Sequence, residues 1–462
     1  MKKKIAIYSA KLAKAASKLS GKGGTALPGL LADKVDPDLL QKLVKGNFSK
    51  GIIVVTGTNG KTTVSMMVSD ILTQNNISHI RNSAGSNMKR GILSTLLDNC
   101  SNNGKCKEEM AVFEVDEAYI PVICPIIKPK IVVVTNLFRD QLDRYGELDK
   151  IANSFRQVFE DLDAKIILNA DDPLVASLST GKNTSFFGIS HYIGDVIEND
   201  HTSDSIFNVK NGEKLQYTQR YFGHIGIYRS KDGTIKRPKP QVEVLKMHKL
   251  TKEFSIIDVK TTTQTKKLEI KVPLPGIYNI YNAIAAVSVA DSMKLPNNNT
   301  VISLVNTLAA FGRSENITYD NKSFKLLLIK NPTGFNQIIQ TFLKPTPQNT
   351  TVLFAINDKI ADGRDISWLW DVAIEHISKY SGHIMCSGTR AFDMALRLKY
   401  AGLKNYTIEP NIIRAVEKIC KAKSSSNIYV LPTYTAMLEL RKKLTKQTDL
   451  NKINHKDKVK SK

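Results

Sequence analysis

The sequence predicts an α/β protein in two parts: a central parallel sheet built on a phosphate-binding loop and carrying a small β insertion, then a C-terminal Rossmann-like α/β domain. Three observations carry this. The apolar, β-branched run from Gly51 to Thr56 leads through two closely spaced glycines into a helical pattern. Further apolar runs end in polar, chemically capable loops and alternate with helix-length segments. Near Ser323 the same alternation starts afresh.

Taken in order, the chain opens with "MKKKIAIYSAKLAKAASKLSGKGGT". Lys11 and Lys14 interrupt its apolar stretch before a signal-peptide core is complete, so residues 1–48 read as a basic helical lead-in. Such a helix either packs on the first domain with its lysines solvated or touches a membrane surface.

Next comes "GIIVVTGTNGKTTVSMMVSDIL", residues 51–72. Gly57, Thr58, Asn59, Gly60, Lys61, Thr62 and Thr63 form a turn where a helix begins, with Val64, Met67, Val68, Ile71 and Leu72 on its buried face. A helix N-terminus approached by glycines suits a polyphosphate, because its first N–H groups have no intrahelical partner and its dipole end is positive. Lys61 would reach the β/γ-phosphates and the Thr62 hydroxyl would ligate magnesium. The longer Gly-x-x-x-x-Gly-Lys-Thr form fails, with Val55 at its first position.

In "FEVDEAYI", Glu114, Asp116 and Glu117 end a strand expected beside the loop strand; Glu114 is the first choice for magnesium. In "TNLFRDQLDRYGE", Asn136, Arg139, Asp140, Asp143 and Arg144 follow the run from Ile131 to Val134 and offer both charge signs to a metal or an oxyanion. "AKIILNADDP" repeats the pattern. Residues 190–240 turn polar and weakly alternating, as a β-ribbon insertion would, and "IYNIYNAIAAVSVADSMKL" returns to helix. A polar stretch at 314–323 suggests a boundary, giving a central domain over 49–316 and a C-terminal domain over 317–445. Residues 446–462 are lysine-rich, lack aromatics and read as a disordered tail.

Composition narrows the classes. No apolar run reaches the roughly 18 residues of a membrane span. The net charge of +23 calls for an anionic partner, such as a membrane surface or a pyrophosphate-bearing lipid, or reflects a generally lysine-rich composition; no helix-turn-helix, zinc-finger or ribonucleoprotein-type motif accompanies it, so nucleic acid is not expected. Cys100, Cys106, Cys124, Cys386 and Cys420 are scattered without a Cys-x-x-Cys. They suggest neither a disulfide framework nor a zinc site, and fit a reducing cytoplasm.

Taken together, "TGTNGKTT", "NADDP", "YNIYNAIAA" and "FGRSE" resemble the Mur ligase family, ATP-dependent enzymes that activate a carboxylate as an acyl phosphate before an amine attacks. Folylpolyglutamate synthases are relatives, but usually carry Gly-Lys-Gly-Ser where this chain has Gly60-Lys61-Thr62-Thr63. "RNSAGSNMKRGI", "EVDEAYIP", "KNPTGFN", "NDKIADGRDISWLWD" and "SGTRAFDMALRLKYAG" are similar to the MurT branch, the ligase-like subunits of lipid II isoglutaminyl synthase, over about residues 8–440.

That resemblance implies a cytoplasmic enzyme working at the inner face of the membrane. ATP would phosphorylate the α-carboxylate of D-isoglutamate in the lipid II stem peptide. Ammonia from a GatD-type glutaminase subunit, forming a heterodimer with this chain, would then give D-isoglutamine. The resemblance places ATP at the loop from Gly57 to Thr63 with Asn282 and Arg313, and magnesium at Thr62 and Glu114. Asp365 matches the family aspartate that completes the partner's Cys-His pair in trans, with Asp362 and Asp371 as alternatives and a helix-capping role as its competing reading. A stand-alone ligase joining an amino acid, of Mur or folylpolyglutamate type, is the rival function. The chain departs from many MurT proteins in one respect: where four cysteines hold a zinc ribbon, Asn208, Asn211, Ser230 and Asp232 stand instead. A metal-free ribbon is expected, held by hairpin bonds and by Tyr217, Tyr221, Phe222 and Tyr228, with His224 structural.

Overall fold

The computed structural model describes residues 2–19, 27–82, 86–139, 148–181, 183–194, 204–207, 212–307, 313–344, 350–422 and 427–445. Asp140, Asp143, Arg144, Asn208, Asn211 and the basic tail lie outside them. Two compact units emerge, the first comprising Met1–Phe138, Glu147–Ile197 and Asp204–Leu308, the second chiefly the chain from Ala309 on. The boundary expected at 316/317 falls inside a strand of the second unit, because the polar residues there form an edge hairpin rather than a linker.

The first unit begins with three helices, α1 (Lys2–Leu19), α2 (Leu27–Val35) and α3 (Leu39–Val44). Its sheet then alternates with helices: β1 (Gly51–Thr56), α4 (Lys61–Gln74), β2 (His79–Arg81), α5 (Lys89–Asn99), β3 (Met110–Glu114), α6 (Ile120–Ile127) and β4 (Ile131–Val134). There follow α7 (Leu148–Asp161), β5 (Lys165–Asn169), α8 (Pro173–Ala176) and β6 (Thr184–Ile189). A hairpin of β7 (Gln216–Phe222) and β8 (Ile225–Arg229) forms a separate two-stranded sheet within the insertion. The unit closes with β9 (Val242–Leu250), β10 (Ser255–Lys260), β11 (Leu268–Val272), α9 (Ile277–Ser292) and α10 (Asn297–Val305).

The nine strands run in the order β11-β10-β9-β6-β5-β4-β1-β3-β2. All pairs from β9 to β2 are parallel, and β9, β10 and β11 are antiparallel. Strand β1 is buried from Ile52 onward, as an inner parallel strand covered on both faces must be. The apolar face foreseen for α4 is also buried, with Val64, Met67 and Leu72 fully enclosed. Because β1 sits between β3 and β4, successive connections leave it in opposite directions. Its carboxyl end is therefore the switch point where ligands of such sheets bind.

The second unit comprises β12 (Arg313–Tyr319), β13 (Lys322–Leu327), α11 (Pro332–Ile338), β14 (Thr350–Ala355), β15 (His383–Ser387), α12 (Ala391–Tyr400), β16 (Tyr406–Ile408), α13 (Ile412–Lys421) and β17 (Asn427–Pro432), ending in a helix over 434–445. Its sheet order, β12-β13-β17-β14-β15-β16, is parallel apart from the β12–β13 hairpin. Phe335, Phe342 and Phe354 are fully buried in the core on one side of it.

One expectation is corrected. Cys100 and Cys106 are joined as a disulfide across a short antiparallel bridge at the end of α5. The turn between them passes through Gly104 at φ +72°, which returns the chain and brings the two Cα atoms to 4.2 Å. Spacing searched only for Cys-x-x-Cys misses such a turn. No described helix is long and apolar enough to cross a membrane.

Candidate active site

Four parallel strands bring their carboxyl ends to one edge of the first unit's sheet. β1 delivers the Gly57–Thr63 loop, β3 delivers Glu114, β4 leads into Thr135 and Asn136, and β5 leads into Asp171 and Asp172. The loop is held from the β4 side: Thr58 N donates to Asn136 O at 2.9 Å and Asn59 N to Asn136 Oδ1 at 2.9 Å. The Thr135 hydroxyl and the Asn136 amide both donate to Asn59 O. Thr58 is locked further, its hydroxyl accepting from Phe138 N and donating to Phe138 O.

Both glycines are required. Gly60 has φ +90°, and a Cβ placed on it would stand 2.2 Å from Asn282 Oδ1. Gly57 has φ +122°, and its Cβ would stand 2.3 Å from the Thr135 hydroxyl. The backbone thus forms a cradle that only glycine can line, opening directly onto the first turn of α4. Asn282 is buried on α9 and donates to Asn279 Oδ1 at 3.1 Å, which keeps its carboxamide oxygen aimed at the loop.

Lys61 is buried. Its ammonium donates to Gly57 O and Thr58 O and lies 2.8 Å from Glu117 Oε2. Burial alone would lower its pKa, but the carboxylates of Glu117, Asp116 and Glu114 outweigh burial and hold it above the ordinary lysine value. Lys61 therefore stays cationic, as a phosphate-binding lysine must. Glu114 is buried too, and its Oε2 has no hydrogen-bond partner. A carboxylate oxygen enclosed without a partner costs free energy unless a cation reaches it. Together with the Thr62 hydroxyl it offers hard oxygen donors that fit magnesium.

Several positioning residues were not singled out from sequence. Asn82 clasps the backbone of Glu114, accepting from its N–H at 2.8 Å and donating to its carbonyl at 2.9 Å. Asp172 caps α8 and accepts from Leu137 N at 2.9 Å, tying the β5 loop to the β4 loop. Asp171, fully buried, takes Tyr281 Oη and Ile189 N at 2.7 Å each and pairs with Arg237 of the insertion. Signals existed, since "NADDP" and the tyrosine next to Asn282 stand inside the quoted motifs, but their partners are far off in sequence.

The insertion hairpin is held by the aromatic residues expected of it. Tyr217 and Tyr228 pack together, Tyr221 Oη donates to Ile189 O, and Phe222 stacks on Phe138. His224 is fully buried, its ring 4.3 Å from that of Phe138 and 3.4 Å from Asp172 Oδ2. Ser230 and Asp232 bond to each other in a turn.

In the second unit Asp365 is exposed and lies just ahead of the short helix Ser367–Asp371, whose N-cap position is Ile366; it accepts from Ser367 N at 2.8 Å and from its hydroxyl at 2.9 Å. Asp362 is buried and committed to Thr435 and Lys359 N, which makes it a loop-closing residue, while Asp371 is exposed at the helix end. Just before Asp365 lies an open depression of 690 Å³ lined by Asp358, Lys359, Ile360, Ala361, Arg364 and Arg390. Arg313 opens β12; its side chain is outside the described atoms. None of the cysteines is set up as a nucleophile. Cys100 and Cys106 are bonded, and burial pushes the thiols of Cys124 and Cys386 up to about 12 and Cys420 up to about 11.

A P-loop sheet with an orphan carboxylate beside the loop and a separate C-terminal α/β unit defines an ATP-dependent ligase of the Mur class. The Mur ligase middle domain matches residues 55–228 and the MurT ligase C-terminal domain matches 328–437. Among solved structures, a pseudomurein peptide ligase type C from Methanothermus fervidus shares the fold at a TM-score of 0.66 and 21% identity, covering 85% of this chain and 78% of that one. MurF ligase from Thermotoga maritima in complex with ADP does so at 0.60 and 13%, covering 90% and 85%. Mur-type ligases depend on ATP and magnesium.

The particular branch follows from full-length similarity. The MurT subunit of lipid II isoglutaminyl synthase (glutamine-hydrolyzing) from Staphylococcus aureus strain COL is 33% identical over 450 residues, 96% of this chain and 98% of the relative. Its counterpart from Streptococcus pneumoniae R6 is 34% identical over 441 residues, 94% of each. The chain belongs to the MurT family.

Proposed function

We propose that this chain is the ATP-dependent synthetase subunit of a glutamine-hydrolysing amidotransferase that converts the D-isoglutamate of lipid II to D-isoglutamine. The observation that supports it most directly is the loop from Gly57 to Thr63, lined by glycine, covered by Asn282 and faced by the buried Lys61 and the unpartnered oxygen of Glu114. In this reading the first turn of α4 and the Lys61 ammonium hold the β/γ-phosphates, and Thr62 and Glu114 hold magnesium. A magnesium ion held by these residues would supply charge neutralisation for the phosphates during transfer. The γ-phosphoryl passes to the substrate α-carboxylate, whose oxygen attacks phosphorus while ADP leaves. Ammonia then adds to the acyl carbon, loses a proton, and expels phosphate to leave the amide. Positioning substrate beside nucleotide replaces dilute encounters by a fixed geometry.

Ammonia is supplied by a glutaminase subunit of the GatD type, since no cysteine of this chain is poised for glutamine hydrolysis. Asp365 serves that partner by accepting a hydrogen bond from its catalytic histidine. Its carboxylate is exposed, and Ile360 and Trp370 nearby in the chain expose apolar surface (77% and 50%) suited to an interface. The insertion works as a metal-free ribbon, and the enzyme acts at the cytoplasmic face of the membrane, where its lipid-linked substrate is presented.

The test is mass spectrometry of lipid II incubated with ATP, glutamine, this chain and a co-purified glutaminase. A gain of one ammonia-derived amide, dependent on ATP, is expected; incorporation of an intact amino acid would establish the stand-alone ligase, and no change in lipid II would overturn both readings. Metal analysis of the purified chain should show no stoichiometric zinc.

A further inference from the structure

Helix α1 carries two apolar faces, and the fold uses one. Ala6, Ile7 and Ala10 are buried where α1 packs on α2, α3 and α5. Ile5, Tyr8 and Leu12 are 50%, 50% and 71% exposed. At about 100° per residue, the two sets lie on roughly opposite sides of the helix. Positions 5, 8 and 12 follow the three-and-four spacing of a continuous stripe, which Lys4 flanks on one side and Lys2 on the other, both exposed.

The lysines divide in the same way. Lys3, Lys11 and Lys14 face the protein: Lys3 donates to Lys42 O, Lys11 to Cys100 O and Asn102 Oδ1, and Lys14 pairs with Asp98. These bonds fix the helix in rotation, so the apolar stripe is held outward. No acidic residue occurs anywhere in Lys2–Leu19.

We infer that the outward face of α1, Ile5, Tyr8 and Leu12 between Lys2 and Lys4, docks reversibly on an anionic phospholipid surface. Three apolar side chains bury far less than the roughly 1,000 Å² of a specific protein interface, and lysine is depleted from such interfaces. An apolar stripe flanked by cations and free of acids instead fits the headgroup boundary of an anionic bilayer, where the stripe enters the acyl margin and the ammonium groups meet lipid phosphate. The chain's net charge of +23 adds long-range attraction to the same surface. The inference deepens the membrane-face reading above by naming its surface, and it needs neither ATP nor lipid II.

The test is co-sedimentation of the full-length chain with vesicles of phosphatidylglycerol and phosphatidylcholine, against phosphatidylcholine alone. Wild type should bind the anionic vesicles only, and less as salt rises. Ile5→Ser with Leu12→Ser should weaken binding about tenfold, and Lys2→Gln with Lys4→Gln should weaken it and flatten its salt dependence. Because all four side chains are exposed, the melting temperature should not move. Wild type left in the supernatant, an apolar variant that binds as wild type does, or a solution dimer that Ile5→Ser with Leu12→Ser dissociates, would each overturn it. Lipid II amidation in detergent would be unaffected, so failure here is distinct from failure of the amidation reading.

Discussion

The Lys61 ammonium lies 2.8 Å from Glu117 Oε2, and both side chains are buried, 6% and 3% exposed. The P-loop lysine is thus held by a carboxylate 56 residues further along the chain. Lys61→Ala should abolish ATP-dependent amidation and also cost about 3–5 kcal/mol of stability, because the buried Glu117 carboxylate would lose its cationic partner. Thermal melting of Lys61→Ala and of Lys61→Ala with Glu117→Gln checks this, the double variant regaining most of the loss without regaining activity. The raised pKa of Lys61 means that the pair's stabilisation is fully present below the unfolded value of 10.5 and is lost only as pH rises through the higher folded value.

Glu114→Gln should behave differently. Its Oε2 has no hydrogen-bond partner in the protein, so removing the buried charge should leave the fold at least as stable, while the magnesium dependence of ATP turnover weakens sharply. Titration of activity with magnesium reads this out; an unchanged half-saturation would move the metal elsewhere.

Gly60→Ala would force a Cβ to 2.2 Å from Asn282 Oδ1 in a left-handed conformation. The expected cost is about 1–3 kcal/mol in stability, with loss of nucleotide binding by calorimetry. Adding Asn282→Ala removes the clash but not the strained φ, so it should restore stability only in part.

Asp365→Asn keeps an acceptor for Ser367 N, so this turn and the melting temperature should survive. Losing the carboxylate should lower glutamine hydrolysis by the complex by about a thousandfold or more, while ATP binding persists. Normal glutaminase rates would move the trans carboxylate to another residue.

Features written in short stretches were legible. The strand, the Gly57–Lys61 turn and the helix of one buried face follow from local spacing, and the parallel sheet follows from apolar runs of strand length. Glu114 was legible too, because a carboxylate at the end of a strand beside the loop strand has few other places to be. Asn82, Asp171 and Asp172 were not. Their roles are bonds to Glu114, Tyr281 and Leu137, and no spacing rule links an asparagine after β2 to the backbone of β3. The hairpin at 314–323 read as a linker because an edge hairpin and a linker are both polar.

The sequence alone determined which chemistry the chain can attempt: a glycine-lined helix N-terminus, a cationic lysine, carboxylates and motifs of the MurT branch. Only the tertiary structure decided which carboxylate pairs with Lys61, which residue closes over Gly60, and which face of α1 remains exposed. The physical reason is that local periodicity fixes an element and its apolar face, whereas pairing between elements depends on sheet order and on which groups burial leaves without water.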